Sequence, residues 1–173
     1  VGFAVAAAAE TARDGGTAAA VADAGRAAAK SASILFYVPS LEQLRRGGRI
    51  SAAAGWFGTL FAVKPILVVR DGRVVPLERV RTAPKALARL TELVRQNITA
   101  RTGRVRVAVH HFGNEAEAER LAGAIADTAP DVELMICSLP AVLAAHAGLG
   151  VLAVAISGDS GAPPQVQLPA PDA

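Results

Sequence analysis

The chain has 173 residues and a net charge of +3, and 52% of its residues are hydrophobic, which is enough to bury the core of one domain. Aromatic residues make up only 4%, so there is little for nucleic-acid bases to stack on, and the basic side chains are better explained by a solvated surface than by a nucleic-acid face. The single cysteine, Cys137, excludes an internal disulfide and a thiolate metal cluster, and it suits a reducing cytoplasm.

No apolar run reaches the roughly 18–20 residues that a membrane span needs. The first residues lack the basic leader of a secretory signal, so we expect a cytoplasmic protein. The chain begins with Val1 and its only methionine is Met135. We therefore expect it to be part of a longer polypeptide.

The first half of the sequence predicts two helices and a strand. Residues 1–14 and 17–30 are rich in alanine and are separated by two glycines, and Thr17 suits the N-cap of the second helix. Their small side chains predict close packing on a neighbour. The run SILFYV at 33–38 is typical of a buried strand.

A short helix is expected after that strand, capped by Ser40 and ending at Arg46. Gly47 then fits the left-handed position that follows a helix. Further along, residues 65–70 and 73–81 flank an Asp-Gly pair, which predicts a hairpin whose second strand lies at an edge or a bulge because of its proline.

The second half alternates between helical and strand patterns. The expected elements are a helix over 86–98, a strand over 105–109, a helix around 118–125, a strand over 132–138, a short helix over 141–148 and a strand over 151–156. This order predicts an α/β fold with a mixed β-sheet packed with helices. We expect a domain over residues 1–156 and a flexible tail over 157–173.

One stretch suggests a lipid site. Arg49 follows two glycines, and Ser51 suits the N-cap of the next helix, so an anion could bind beside that helix start. Behind it lie small and large apolar side chains: Ala54, Gly55, Trp56, Leu60 and Phe61. An anion site joined to an apolar wall suits a fatty acid. The alternatives are an arginine that fixes the glycine turn, a serine that only caps, and apolar residues that only form core.

Other polar features have weaker interpretations. Arg79, Arg81 and Lys85 cluster with Arg89 near a strand-to-helix junction, as a solvated face or as a docking surface for a partner. His110 and His111 are strand neighbours that point to opposite faces, so they cannot share a metal. The sequence has no nucleotide-binding motif and no nucleophile paired with a base, so we expect no enzyme activity.

Four segments carry a family resemblance: LEQLRRGGRIS, GWFGTLFAVKPIL, DGRVVPLERVRTAPKAL and AHAGLG. In this order they resemble the C-terminal domain of the DegV family of bacterial fatty-acid-binding proteins, collinearly over about residues 1–156. The resemblance implies two α/β domains with a long-chain fatty acid between them. It also implies delivery of the acid to a fatty acid kinase, whose acyl phosphate product feeds phospholipid synthesis.

The resemblance also assigns roles to particular residues. It implies that Arg49 lies near the lipid head group and His146 near the carboxylate, with Gly148 and Gly150 keeping their loop close to the site. It implies that the N-terminal domain, which this chain lacks, supplies most direct carboxylate contacts through Ser and Thr side chains. No cofactor is implied besides the bound fatty acid, and a basic face around Arg79 is a candidate for kinase docking.

Three hypotheses follow. The first is a lipid-binding module, half of a fatty-acid carrier. The second is half of an enzyme that transfers phosphoryl or acyl groups at Arg49 and His146. The third is a structural or interaction remnant that binds no lipid, in which His146 is a histidine satisfied within the core.

Overall fold

The fold is built on strands whose alternate side chains face opposite sides of one sheet. The structure, a computed structural model, describes residues 1–50 and 63–160. The helices are α1 Gly2–Arg13, α2 Ala18–Ser31, α3 Glu42–Arg46, α4 Ala83–Thr99, α5 Glu115–Thr128 and α6 Ala141–Ala147. The strands are β1 Ser33–Tyr37, β2 Lys64–Arg70, β3 Arg73–Val80, β4 Thr102–His111, β5 Glu133–Ser138 and β6 Leu152–Ser160.

The six strands form a single mixed sheet in the order β3-β2-β1-β6-β4-β5. All neighbouring pairs are antiparallel except β4 and β5, which are parallel and are connected through α5. The predicted α/β fold with a mixed sheet is therefore confirmed. The hairpin between β2 and β3 also forms as predicted, with Asp71 and Gly72 both at positive φ.

Pro76 satisfies both predictions made for it. Its strand, β3, is an edge of the sheet, and the register with β2 shifts by one residue where Leu67 lies opposite Pro76. Proline has no backbone N–H, and at a bulge in an edge strand no neighbouring strand requires one.

The larger core lies between one face of the sheet and helices α4 and α5. Its fully buried strand residues include Leu35, Ile66, Val107, Val109, Leu152 and Ile156. A smaller core on the opposite face joins Phe36, Val38 and Leu67 to the segment around α3, with Leu41, Leu44 and Ile50. The sheet is thus covered on both faces, which buries the apolar residues of its central strands.

Helices α1 and α2 pack closely against each other. A Cβ added to Gly25 of α2 would lie 3.6 Å from the Ala8 Cβ of α1, so only small residues fit at this crossing. The Thr17 hydroxyl accepts a hydrogen bond from the Ala20 N–H at 3.2 Å, as expected for an N-cap. No helix among the described residues is long and apolar enough to cross a membrane.

The structure corrects three local predictions. Gly47 has φ −78°, and it is Gly48, at +64°, that takes the left-handed position. Leu41 rather than Ser40 is the N-cap of α3, although the Ser40 hydroxyl still accepts the Glu42 N–H at 3.2 Å. Strand β6 continues to Ser160, so residues 157–160 pair with β4 instead of belonging to a tail.

Candidate functional site

The candidate site lies at one end of the two central strands. Tyr37, the last residue of β1, pairs with Leu152, the first residue of β6. The chain leaves β1 into α3 and enters β6 from α6, so these two short helices are brought together at this end, and they contact each other. The predicted residues Arg49 and His146 lie just after α3 and on the last turn of α6.

Arg49 is held by a tight turn at the end of α3. The Arg49 N–H donates to the Leu44 carbonyl at 2.9 Å, and the Gly48 N–H donates to the Arg45 carbonyl at 3.0 Å. These two bonds form a Schellman motif, which requires the left-handed conformation at Gly48. The turn fixes the Arg49 backbone while its side chain stays exposed.

His146 packs directly on this turn. A Cβ built on Gly47 would lie 2.5 Å from His146 Nδ1, so the imidazole occupies the space that any larger residue at position 47 would need. Gly47 therefore serves close approach rather than backbone conformation. His146 is half-buried on the last turn of α6.

The two other predicted loop glycines also adjoin the segment around α3. A Cβ on Gly148 would lie 3.3 Å from Gln43 Cγ, and one on Gly150 would lie 2.9 Å from Pro39 Cγ. Both glycines have positive φ, near +85°. The loop of residues 147–150 thus follows the α3 segment closely.

Sequence reasoning missed Lys64 at this end of the sheet. Its Nζ donates to the Pro39 carbonyl at 3.0 Å, and Pro39 is the residue that Gly150 approaches. A half-buried ammonium group therefore lies beside the loop that carries His146. Lys64 lies in the family segment GWFGTLFAVKPIL, but its place at the start of a strand gave no sign that it would turn toward this loop.

Several predicted site residues lie outside the described residues: Ser51, Ala54, Gly55, Trp56, Leu60 and Phe61. Their proposed roles in capping a helix and lining an apolar wall stay predictions. They follow Arg49 directly in the sequence and precede Lys64, so the chain on both sides of them reaches the candidate site.

The four basic residues near the junction of β3 and α4 lie in different environments. Arg81 and Lys85 are exposed, and Arg79 is exposed near the end of β3. Arg89 instead holds Glu78 with Nε–Oε2 and Nη2–Oε1 distances of 2.9 and 2.7 Å, and this hydrogen-bonded carboxylate raises the pKa of Arg89. Arg89 is therefore engaged within the protein.

The histidines of β4 lie apart from the His146 turn in sequence but at the same end of the sheet. His110 pairs with Ala153 and His111 with Leu152, on opposite faces. The Nδ1 atoms of both are buried with no hydrogen-bond partner among the described residues. Within the same residues no group of three or more His, Cys, Asp or Glu side chains could hold a metal ion.

Comparison with known proteins identifies the family. The family model described as "Uncharacterised protein, DegV family" matches residues 1–159. The chain belongs to the DegV family. A DegV domain-containing protein of Streptomyces coelicolor is 44% identical over 158 residues, which cover 91% of this chain and 56% of that protein.

Solved DegV structures have the same fold. A fatty acid binding DegV family protein from Streptococcus agalactiae superposes with a TM-score of 0.82 at 31% identity, covering 92% of this chain and 56% of that one. A DegV family protein from Thermus thermophilus, described by its fatty acid binding, gives 0.82 at 30% identity, covering 91% and 56%. The chain spans little more than half the length of these DegV relatives.

Proposed function

We propose that this chain forms one side of a fatty-acid site in a carrier protein of the DegV family. The observation that supports the proposal is the contact between the α3 turn and the α6 loop. It sets the His146 imidazole against the glycine turn that ends at Arg49, and it lies beside Pro39, whose carbonyl accepts from the Lys64 ammonium. Neighbouring segments thus carry a guanidinium, an imidazole and an ammonium. Such groups suit a carboxylate, which accepts charge-assisted hydrogen bonds from all three.

The acyl chain would lie against the apolar residues of 51–62 and against the part of the relatives that this chain does not span. Each buried methylene contributes about 0.8 kcal/mol, so burial of the acyl chain supplies most of the affinity. The cationic groups orient the carboxylate head group. The part of the relatives that this chain does not span is proposed to supply the Ser and Thr contacts to the carboxylate. Arg49 and His146 then act from the opposite side of the ligand.

In this proposal the protein performs no chemistry itself. It presents the acid in the cytoplasm to a fatty acid kinase, which forms the acyl phosphate used in phospholipid synthesis. Arg81 and Lys85, exposed at the junction of β3 and α4, are the proposed docking residues, with Arg79 beside them. A complementary acidic surface on the kinase would increase the association rate and make it sensitive to salt.

Mass spectrometry of bound lipid tests the proposal. We expect the polypeptide extended to the length of its relatives to purify with one fatty acid that appears after organic extraction. Arg49→Ala and His146→Ala should each reduce its occupancy, while Arg26→Ala, which removes an exposed pair with Asp23, should not. Absence of lipid from the extended polypeptide would contradict the proposal and favour the structural alternative.

The enzymatic alternative has its own measurement. The extended polypeptide is incubated with ATP and a long-chain fatty acid, with and without a fatty acid kinase, and acyl phosphate is trapped with hydroxylamine. We expect product only when the kinase is present. Product without the kinase would show that the Arg49 and His146 region belongs to a transferase.

A further inference from the structure

The two edges of the sheet differ in how they are protected from pairing with another strand. Edge strands expose unpaired backbone N–H and C=O groups, and proteins guard them with charges, prolines and bulges. Strand β3 has all three: Arg73 and Arg79 are exposed, and Pro76 lies at a bulge. Pairing of β3 with another β3 about Pro76 would also place Arg73 opposite Arg79, which is repulsive.

Strand β5 has no proline and no bulge, and its only charge is Glu133, at its first residue. Between Glu133 and Ser138 its sequence is Leu-Met-Ile-Cys, without a charge or a proline, and its register with β4 is continuous. Within residues 1–50 and 63–160, no strand pairs with its outer side. In this part of the chain, the outer backbone groups of β5 are therefore left for another strand.

The side chains of β5 also favour a partner. Met135 and Ile136 are 46% and 41% exposed, and as strand neighbours they point to opposite faces of the sheet. A strand added at this edge would cover apolar surface on both faces. A charged peptide would find no complementary group within the strand, because Glu133 is already held by Arg106 (2.8 Å) and by Arg104.

We propose that β5 pairs antiparallel with β5 of a second copy of this chain, extending the sheet across a two-fold axis. In two registers, equivalent side chains of the two copies lie on the same face of the extended sheet. One register places Met135 opposite Met135 of the second copy, and the other places Ile136 opposite Ile136. Neither register brings like charges together, which distinguishes β5 from β3. This inference does not use the proposed lipid site.

The strength expected of this interface is modest. Six residues span roughly 20 Å, which is short for a protein interface, so the dimer should form at micromolar concentrations and dissociate on dilution. Helix α5 packs on β4 and β5, so the strand presented to the second copy is already ordered. Little conformational entropy remains to be lost on pairing.

Sedimentation velocity over a dilution series tests the proposal, on the 173-residue chain and on the polypeptide extended to the length of its relatives. We expect a dimer in both. Ile136→Lys should raise the dissociation constant at least about tenfold, because it places a charge in an apolar strand pair and, in the Ile136 register, sets the lysines of the two copies opposite each other. Val142→Lys on α6, which is 74% exposed, is the matched control and should leave the dimer intact.

Two further results complete the test. Met135→Glu, checked for folding by circular dichroism, applies the same test to the Met135 register and carries the test alone if Ile136→Lys unfolds. In a Cys137→Ser background, Met135→Cys or Ile136→Cys should form a disulfide between copies under mild oxidation and so identify the register. A monomer in the extended polypeptide, or a dimer that both charged substitutions leave unchanged, would overturn the proposal.

Discussion

The two ends of strand β1 contain polar clusters of opposite character. At the Ser33 end, Arg101 is 6% exposed and lies among bonded polar groups. At the Tyr37 end, the groups around the α3 turn are half-buried or exposed. Both clusters are cationic, but among the described residues only the Ser33 end has an arginine whose terminal nitrogens donate hydrogen bonds inside the protein.

Arg101 binds the ends of two helices. Its Nη2 donates to the Ser31 carbonyl at the end of α2 (2.9 Å) and to Ser33 Oγ (3.0 Å), and its Nη1 donates to the Asn97 carbonyl near the end of α4 (2.7 Å). Helix C-termini carry partial negative charge, which offsets the guanidinium without a carboxylate. Burial lowers the pKa of Arg101, yet an arginine stays charged.

The α3 end is arranged in the opposite way. Among the described residues, the Arg49 side chain has no hydrogen bond or ion pair, and His146 is held by packing on Gly47. The terminal nitrogens of Arg101 are bonded within the protein and support the architecture, although its Nε is buried without a partner among the described residues, whereas the exposed Arg49 side chain is available to a ligand. The comparison therefore separates a structural arginine from a candidate binding arginine.

Arg101→Met should have the largest effect on stability. It leaves the Asn97 and Ser31 carbonyls and the Ser33 hydroxyl buried without their donor, so we expect the free energy of unfolding to fall by about 3 kcal/mol. Urea unfolding followed by circular dichroism measures this loss. Lipid occupancy of the molecules that remain folded should not change.

Arg49→Met is the matched control because it removes the same charge from an exposed position. It should change the free energy of unfolding by less than about 0.5 kcal/mol while reducing lipid occupancy. If Arg49→Met proves as destabilising as Arg101→Met, the distinction between the two clusters is wrong.

Gly47→Ala should weaken lipid binding more than it weakens the fold. The backbone at Gly47 suits alanine (φ −78°), but the new methyl would lie 2.5 Å from His146 Nδ1 and would push the imidazole away. We expect about a tenfold loss of affinity for a fluorescent fatty acid in the extended polypeptide, as for the loss of one hydrogen bond of about 1.4 kcal/mol.

Gly48→Ala separates steric displacement from strain in the turn. A Cβ at Gly48 meets no atom of the described residues within 4 Å, but its φ of +64° costs an alanine about 1 kcal/mol. This variant should lose stability and keep its affinity for the fatty acid. Equal affinities for the two variants would show that the contact of His146 with Gly47 does not matter for binding.

Local chemistry made part of this molecule predictable from sequence. The hairpin was predictable because Asp71-Gly72 favours a single turn type, and the N-cap at Thr17 because a hydroxyl at a helix start has few alternatives. The turn at 47–48 was harder, since two adjacent glycines look alike in sequence. What distinguishes them is His146, which is about a hundred residues away in the chain.

The sequence did not single out Arg101, because its partners are also distant in the chain. Its partners Ser31 and Ser33 lie about seventy residues earlier, and only the pairing of β1 with β6 brings them beside the end of α4. Lys64 likewise gains its contact with Pro39 through tertiary structure. Sequence patterns indicate which groups are present, while the sheet topology decides which of them meet.

The smallest effect on stability is expected for His110. It tests whether the Tyr37 end of the sheet tolerates a titratable group without a hydrogen-bond partner. Its Nδ1 is buried without a partner among the described residues, and burial, followed by the charge of His111, lowers its pKa below the usual 6.5. The unfolded chain therefore takes up this proton first as the pH falls. The contribution to stability is complete above about pH 6.5 and is lost as the pH falls toward the lowered value.

The corresponding variant is His110→Gln, which keeps a polar side chain but cannot titrate. Between about pH 7.5 and about pH 5.5, the wild-type free energy of unfolding should fall more steeply than that of the variant, by up to about 1.4 kcal/mol, because the window reaches about one unit below the usual pKa. Urea unfolding at the two pH values measures the difference. Parallel pH profiles would mean that water or a rearranged side chain forms a hydrogen bond with His110. The difference between the two ends of β1 would then rest on the groups around the α3 turn alone.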